Sequence, residues 1–161
     1  MDKNKAHYVA ATAIIIKDGK YLITRRSDKE TMMPGLWTVP GGKLEMTDYT
    51  ARKKDAGELW YNVIEGLLKR EVKEETGLDI HNISYLTSMA FIRPDGTPTV
   101  VISLFADHGG GSVKLSSELT DHAWVTLEEA ENYPLIEGIY EELEMLDNLL
   151  KGKELVHWRK R

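Results

Sequence analysis

Hydrophobic and polar positions change their period part-way along this chain. Residues 8–16 and 21–24 are mostly β-branched, aromatic or aliphatic, and Asp18-Gly19 stands between the two runs. An Asp-Gly pair in that setting is a strong signal for a β-hairpin. From Leu59 to Thr76, in contrast, apolar residues recur at steps of three and four, which is the period of an α-helix. The pattern therefore predicts a strand hairpin followed by a long amphipathic helix.

Shorter apolar runs predict further strands at residues 36–39, 83–93, 99–106 and 121–125. Thr126 and Glu129 have the spacing of a capping box, which predicts the start of a short helix, and residues 139–150 predict a terminal amphipathic helix. The glycines at 109–111 predict a flexible loop. Because there is no repeat and no linker, this mixture of strands and helices predicts one α/β domain over residues 1–161.

The long helix is predicted to end in an acidic run. Glu71, Glu74 and Glu75 precede Gly77, a typical left-handed helix stop. At about 100° per residue, Glu75 lies roughly 40° to one side of Glu71 and Glu74 roughly 60° to the other, so the three carboxylates share one side of the helix. Like charges at this spacing repel, and oxygen-only ligands favour a hard cation such as Mg²⁺ or Mn²⁺. The alternative is a solvated acidic helix face.

Two short motifs before this helix are candidates for phosphate and metal contacts. Arg25 and Arg26 end the second predicted strand, and paired arginines can bind phosphate in a bidentate way, although solvated arginines are common at surfaces. Gly41 and Gly42 follow the strand at residues 36–39. Paired glycines let the backbone approach a ligand, and a carbonyl there can act as an oxygen ligand; the alternative is a plain tight turn.

Composition narrows the classes of function. The 161 residues are 42% hydrophobic and 29% charged, as expected for a globular protein, and the net charge of −5 gives no basic field for duplex nucleic acid. A small phosphorylated substrate is compatible with this charge if a metal offsets the carboxylates. Cysteine is absent, which excludes disulfides and thiolate chemistry. The first ten residues lack the apolar core of a signal peptide, and no run is long enough to cross a membrane, so we expect a cytoplasmic protein.

The glycine pair and the acidic run together resemble a known motif. Residues 41–45 (Gly-Gly-Lys-Leu-Glu), followed by residues 70–78 (Arg-Glu-Val-Lys-Glu-Glu-Thr-Gly-Leu), are similar to the Nudix box of Nudix hydrolases, and the second half matches at every specified position. The first half departs from the pattern, because Asp48 stands where the family has Glu and 21 residues, instead of seven, separate it from Arg70. Fourteen residues are therefore inserted, and Glu45 and Glu58 are rivals for the displaced acidic position.

The resemblance implies a fold and a chemistry. The fold would be an α/β/α sandwich with a mixed β-sheet between helices. The activity would be metal-dependent hydrolysis of a nucleoside diphosphate linked to a further group X. Mg²⁺, or Mn²⁺ in its place, would neutralise phosphate oxygens and lower the pKa of the attacking water.

The resemblance also implies a set of site residues. Glu74 and Glu75 would be the main metal ligands, and Glu71 a further ligand or the base that activates water. A carbonyl of Gly41 or Gly42 would be the backbone ligand. The remaining implied residues are Arg70, which would pair with a carboxylate and fix the loop, and Glu118, a loop acid that would serve as base or ligand or would simply be solvated. Arg25 and Arg26 would contact the substrate.

The insertion, residues 49–62, has two interpretations. It holds a basic cluster and two aromatic residues: Arg52, Lys53, Lys54, Trp60 and Tyr61. One hypothesis is a lid that contributes cations and stacking to a nucleotide. The slightly favoured alternative is a solvent-facing extension of the helix by about one to three turns, with Trp60 buried in a local core or in a dimer contact.

Several substrates and rival functions remain open. Nucleoside triphosphates are the first expectation, and nucleotide sugars such as ADP-ribose come next. The second expectation rests on Pro94, which lies near a position where some ADP-ribose-cleaving Nudix relatives carry a proline. Its Pro-Asp-Gly setting predicts a turn equally well. A non-catalytic nucleotide sensor is disfavoured by the intact carboxylates. An isopentenyl diphosphate isomerase is disfavoured by the absence of cysteine. A small nucleotide is the expected partner, and a homodimer is an open possibility.

Overall fold

One mixed sheet lies between helices in the computed structural model, which describes all residues from Met1 to Arg161. The elements in chain order are β1 (Tyr8–Lys17), β2 (Lys20–Arg26), β3 (Trp37–Thr38), β4 (Gly41–Lys43), α1 (Thr47–Thr50), α2 (Val63–Thr76), β5 (Asp79–Ile92), β6 (Pro98–Gly110), β7 (Leu119–Val125), α3 (Leu127–Ala130) and α4 (Ile139–Leu150).

The sheet has the strand order β3-β2-β1-β6-β5, with β4 beside β1 and β7 beside β2. The pair β1 and β6 is parallel, and every other pair is antiparallel. Along one edge, β1 pairs with β2 near Ile16 and with β4 nearer its start, where Thr12 lies opposite Gly41. The two partners thus share one strand edge, which brings the glycine pair to the middle of the molecule.

Alternation along β1 divides the core between the two faces of the sheet. Ala11, Ala13 and Ile15 pack with α2 on one face, while Ile14 packs with α4 on the other. Side chains of both helices that face the sheet, such as Leu67 and Leu143, are fully buried. Helices therefore cover both faces of a mixed sheet, and the predicted α/β/α architecture is confirmed.

Most predicted elements are present with shifted ends. Asp18 and Gly19 form the β1–β2 turn with φ angles of 50° and 73°. The helix at 139–150 is present with the predicted bounds, and the predicted capping box at Thr126 is present. Pro94 lies in the turn between β5 and β6, where Arg93 N donates to Thr97 O over 3.0 Å. No helix is both long and apolar enough to span a membrane.

Two predictions about the elements were wrong, the start of the long helix and the glycine loop. The predicted helix from Leu59 begins only at Val63, after Asn62 in a left-handed conformation with φ 54°. Leu59 instead closes a tight turn by donating its N–H to Ala56 O over 2.8 Å, so its helical spacing was coincidental. The predicted glycine loop was also wrong in part: Gly109 and Gly110 end β6, and a side chain at Gly109 would come within 2.9 Å of a His81 ring nitrogen.

Candidate active site

The last two turns of α2 bring Glu71 and Glu75 against the glycine pair of β4, with Glu74 more exposed beside them. Gly41 N donates to Glu75 Oε2 over 3.0 Å. A Cβ atom on Gly42 would lie 2.2 Å from the Glu71 carboxyl carbon, and one on Gly41 would lie 2.2 Å from the Ala11 carbonyl oxygen. No larger residue fits at either position without displacing its neighbour, so the glycines are required for this close approach of strand and helix.

Arg70 is held by an acid at the start of the insertion. Its Nε donates to Asp48 Oδ1 and its Nη2 donates to Asp48 Oδ2 over 3.1 Å, and the Asp48 side chain is only 1% exposed. The predicted pairing of Arg70 with a carboxylate is therefore confirmed. The rival acids do not contact Arg70, since Glu58 is exposed and pairs with Lys54, and Glu45 contributes only its backbone N–H to Asp48. The sequence signal that points to Asp48 is its position six residues after Gly42, where the Nudix box has Glu.

The same guanidinium group spans the acidic face of α2. Arg70 Nη1 donates to Glu71 Oε1 over 2.9 Å and to Glu74 Oε2 over 3.1 Å, and Nη2 also donates to the Lys43 carbonyl over 3.3 Å. The Glu71 side chain is 14% exposed and that of Glu74 is 61% exposed. Arg70 thus ties the carboxylates to β4 and offsets part of their repulsion.

Burial and neighbouring charges make Glu71 and Glu75 hold protons tightly. The pKa of Glu75 is raised to about 8: desolvation is the largest cause, the charges of Glu71 and Glu118 act in the same direction, and the Gly41 N–H and Arg26 oppose the shift. Desolvation also raises the pKa of Glu71, against the lowering effect of Arg70. Carboxyl groups of this kind gain most from a bound cation, which replaces the lost solvation.

Glu118 lies on the loop before β7, close to the acids of α2. Ser116 N donates to the Glu75 carbonyl over 2.9 Å, and Ser27 N donates to the Glu118 carbonyl over 2.9 Å, so the loop is held at the C-terminal end of α2 and just after the end of β2. The Glu118 side chain is exposed, yet its charge acts on the pKa of Glu71 and Glu75. The structure therefore groups it with the acids, while its role as base or ligand stays a prediction.

The two arginines at the end of β2 differ in their surroundings. Arg26 lowers the pKa of Glu75 and so lies near the acids, with its Nε donating to Met32 O over 3.0 Å. Arg25 donates to Asp28 over 2.9 Å and to Thr120 over 3.0 Å. Both guanidinium groups already have partners, so the predicted phosphate contacts would require an exchange of these bonds and stay predictions.

The donor set fits a hard divalent cation. It consists of carboxylate oxygens that are desolvated and crowded, next to a glycine backbone. No three acidic or histidine side chains already converge as a ligand set. Arg70 and the Gly41 N–H are the groups that now occupy oxygens of Glu71, Glu74 and Glu75. A cation would compete with these donors, and the carbonyl ligand predicted at Gly41 stays a prediction.

The insertion folds on itself and does not extend the helix. Trp60 Nε1 donates to Arg52 O over 3.1 Å, and the Trp60 ring lies 5.4 Å from that of Tyr49. Arg52 pairs with Asp55 over 2.7 Å. The predicted helical extension is therefore wrong, because residues 51–62 form turns around Trp60. Trp60 is half-buried and packs on Tyr49 outside the two hydrophobic cores, so its predicted burial in a local core is not confirmed. Arg52 is engaged within the insertion, and the lid hypothesis stays untested.

A comparison with protein families decides the identity of the motif. The family model described as the NUDIX domain matches residues 6–146. The chain belongs to the Nudix family. The resemblance drawn from residues 41–45 and 70–78 is thereby confirmed, as is the predicted enzyme class, a pyrophosphohydrolase of MutT-like Nudix type. Enzymes of this family generally use divalent metal ions.

Two relatives show the sequence similarity of this chain to other proteins. The chain is 33% identical over 128 residues to the NAD-capped RNA hydrolase NudC of Vibrio atlanticus, a match covering 76% of this chain and 40% of that protein. It is 29% identical over 133 residues to the nucleoside triphosphatase NudI of Escherichia coli, covering 76% of this chain and 84% of the relative.

The fold of this chain is also similar to that of a solved Nudix hydrolase structure. The crystal structure of the MutT Nudix hydrolase from Burkholderia pseudomallei superimposes with a TM-score of 0.68 at 23% identity, over 87% of this chain and 98% of that one. At that identity the likeness supports the shared fold alone.

Proposed function

We propose that this Nudix domain, residues 1–161, hydrolyses the diphosphate bond of small nucleotides in a Mg²⁺-dependent reaction, with nucleoside triphosphates as the preferred substrates. The observation that carries the proposal is the desolvated pair Glu71 and Glu75 beside Gly41 and Gly42. Nucleoside triphosphates are favoured because the match to NudI spans most of that relative, whereas the match to NudC spans less than half.

Each residue of the site has a role in this proposal. Glu74 and Glu75 hold the cation, together with a carbonyl of the glycine pair. Glu71 is a further ligand or accepts the proton of the attacking water, and Glu118 is the other candidate for that proton. When bound, the cation neutralises phosphate oxygens and acidifies the attacking water.

The arginines act around this centre. Arg70 fixes β4 and the acidic face of α2, because its guanidinium contacts Lys43 O, Glu71 and Glu74 at once. Arg26, which lies near Glu75, contacts a phosphate oxygen in this proposal after its guanidinium releases Met32 O. Arg25, which Asp28 and Thr120 hold at the end of β2, is assigned to a second phosphate oxygen.

The test is hydrolysis of a nucleotide panel. Nucleoside triphosphates, nucleoside diphosphate sugars and dinucleotide diphosphates are incubated with the protein and Mg²⁺, and release of phosphate or pyrophosphate is followed. We expect turnover that Glu74→Gln reduces by at least about 100-fold. Glu65→Gln, an acid in the first turn of the same helix, is the matched control and should keep the wild-type rate.

Two outcomes would contradict the proposal. Nucleotide binding without turnover by the Mg²⁺-loaded protein would indicate a sensor. Equal rates for wild type and Glu74→Gln would place the chemistry elsewhere. A higher kcat/KM for dinucleotide diphosphates than for triphosphates would keep the reaction and change its substrate, in line with the 33% identity to NudC.

A further inference from the structure

A cationic and aromatic cluster lies beside the glycine pair, on the face of the sheet opposite α2. The Tyr8 ring is its centre and is 49% exposed. Lys43 Nζ lies 5.5 Å from the ring centroid and Arg93 Cζ lies 6.0 Å from it. Both distances are within the range of cation–π attraction. We call these three residues the Tyr8 cluster.

Strand register explains why the cluster forms. Lys43 lies opposite Ala10, two residues after Tyr8 on the same face of β1, and Tyr8 lies beside Thr99 of β6. Thr99 in turn lies opposite Phe91 of β5, which places Arg93 near the same face two residues later. Four strands thus contribute to one patch, although their residues are far apart in the sequence.

Two hydrogen-bond donors, one in the Tyr8 cluster and one on the adjacent Thr99, have no partner. Thr99 is 2% exposed, and its hydroxyl makes no hydrogen bond. Arg93 Nε is also buried without a partner, since its nearest acid oxygen, on Asp95, is 3.7 Å away and too far for a hydrogen bond. Buried donors of this kind are costly unless a ligand or water satisfies them. The Lys43 ammonium, the Arg93 guanidinium, whose charge Asp95 partly offsets, and the two unsatisfied donors form the complement of an anion with several acceptor oxygens.

The position of Lys43 connects the cluster with the acidic site. Its carbonyl accepts from Arg70 on the α2 side of β4, while its side chain lies over Tyr8 on the other face. Only β1 pairs with β4, so the other edge of β4 is not covered by a strand. Side chains of α2 bind backbone groups of β4, Glu75 at Gly41 N and Arg70 at Lys43 O, so a substrate whose diphosphate lies at Gly41 and Gly42 would pass beside them to reach the Tyr8 cluster with its distal part.

We propose that the Tyr8 cluster binds a phosphate group carried by the distal group X of the substrate. Lys43 and Arg93 supply the charge, and the exposed Tyr8 ring supplies a surface for the sugar that bears the phosphate. The inference rests on the proposed function, because that function places the diphosphate beside β4. It adds a preference for substrates with a phosphorylated X over those with a neutral X.

Two substrates separate this role from a general effect of charge. A nucleoside diphosphate ribose is compared with the same compound carrying a phosphate on the distal ribose. Lys43→Met and Arg93→Met should each raise the KM for the phosphorylated compound about five- to tenfold relative to the KM for the unphosphorylated one, which corresponds to the loss of one charge-assisted contact. Lys17→Met is the matched control, because Lys17 also lies over an aromatic ring, 5.7 Å from Trp124, at the far end of β1. Equal changes for both substrates would overturn the proposal.

A binding measurement works even if no substrate is hydrolysed. Ribose 5-phosphate and ribose are titrated into the Mg²⁺-free protein, and the NMR signals of the Tyr8 ring are followed. Ribose 5-phosphate should shift them in wild type and Lys17→Met but not in Lys43→Met or Arg93→Met, and ribose should not. Absence of a shift in wild type, or a shift retained in both cluster variants, would overturn the proposal independently of the catalytic function. Inorganic phosphate that binds as tightly as ribose 5-phosphate would assign the cluster to free phosphate and overturn the assignment to X.

Discussion

Removal of the Asp48 carboxylate tests how the two halves of the Nudix box, which the insertion separates, are held together. Asp48 and Arg70 form two charge-assisted hydrogen bonds, and the Asp48 side chain is 1% exposed. A hydrogen bond to a charged group contributes about 1.5–3 kcal/mol, and breaking a fully buried pair costs about 3–5 kcal/mol. Since the Arg70 side chain is 27% exposed and keeps Glu71 and Glu74 as partners, we expect Asp48→Ala to lower the free energy of unfolding by about 2–4 kcal/mol.

The loss should depend on pH in a defined direction. Hydrogen bonds from Arg70 lower the pKa of Asp48 in the folded protein. The stabilisation is therefore complete above the unfolded pKa of about 3.9 and is lost as the pH falls through the lower folded value. The difference between wild type and Asp48→Ala should be constant between about pH 5 and pH 7 and should shrink below about pH 4.

Urea unfolding of the metal-free protein measures these differences. Glu45→Gln and Glu58→Gln are the controls, because both acids were rivals for the same position and neither side chain contacts Arg70. Each should change the free energy of unfolding by less than about 0.5 kcal/mol. A loss at Glu45 or Glu58 that exceeds the loss at Asp48 would refute the assignment of Asp48 as the acid that fixes Arg70.

Three further predictions concern the acids, the glycine pair and the insertion. Because the pKa of Glu75 is raised to about 8, Mg²⁺ affinity measured by calorimetry should rise with pH up to about 8. Below about pH 8, Mg²⁺ binding should release a proton. Glu75→Gln should remove most of this pH dependence. Gly42→Ala should lower the activity at least about tenfold, because the new methyl group would displace the Glu71 carboxylate. Trp60→Ala should lower the melting temperature while KM for the nucleotide stays unchanged, because the ring packs within the insertion. The first prediction would be contradicted by a Mg²⁺ affinity that does not change with pH, and the second by full activity of Gly42→Ala. A raised KM for folded Trp60→Ala would contradict the third and support the lid hypothesis.

Local pattern was sufficient for the elements and for the acidic end of α2. The hairpin at Asp18-Gly19, the helix stop at Gly77 and the capping box at Thr126 depend on residues close in sequence, and all three are present. The three acids share a helix face because helix geometry fixes their angles. For the same reason the register of residues 70–78 carried the family resemblance.

Local pattern failed where the chain folds back on itself. Leu59 and Trp60 continue the helical period in sequence, yet the backbone at Asn62 takes a left-handed turn and Trp60 packs on Tyr49 of the same insertion. The period reports which residues are apolar, and it does not report which neighbours they meet.

Sequence alone therefore determined the acids Glu71, Glu74 and Glu75 and the glycines beside them. Tertiary structure decided which distant partner each of them meets. Asp48, among three acids, reaches Arg70 because α1 returns the insertion to α2, and the raised pKa of Glu75 arises from burial against β4 and from the loop of Glu118. Distances across a sheet are set by strand pairing and core packing, which depend on the whole chain, and so these contacts could not be obtained from spacing along the sequence.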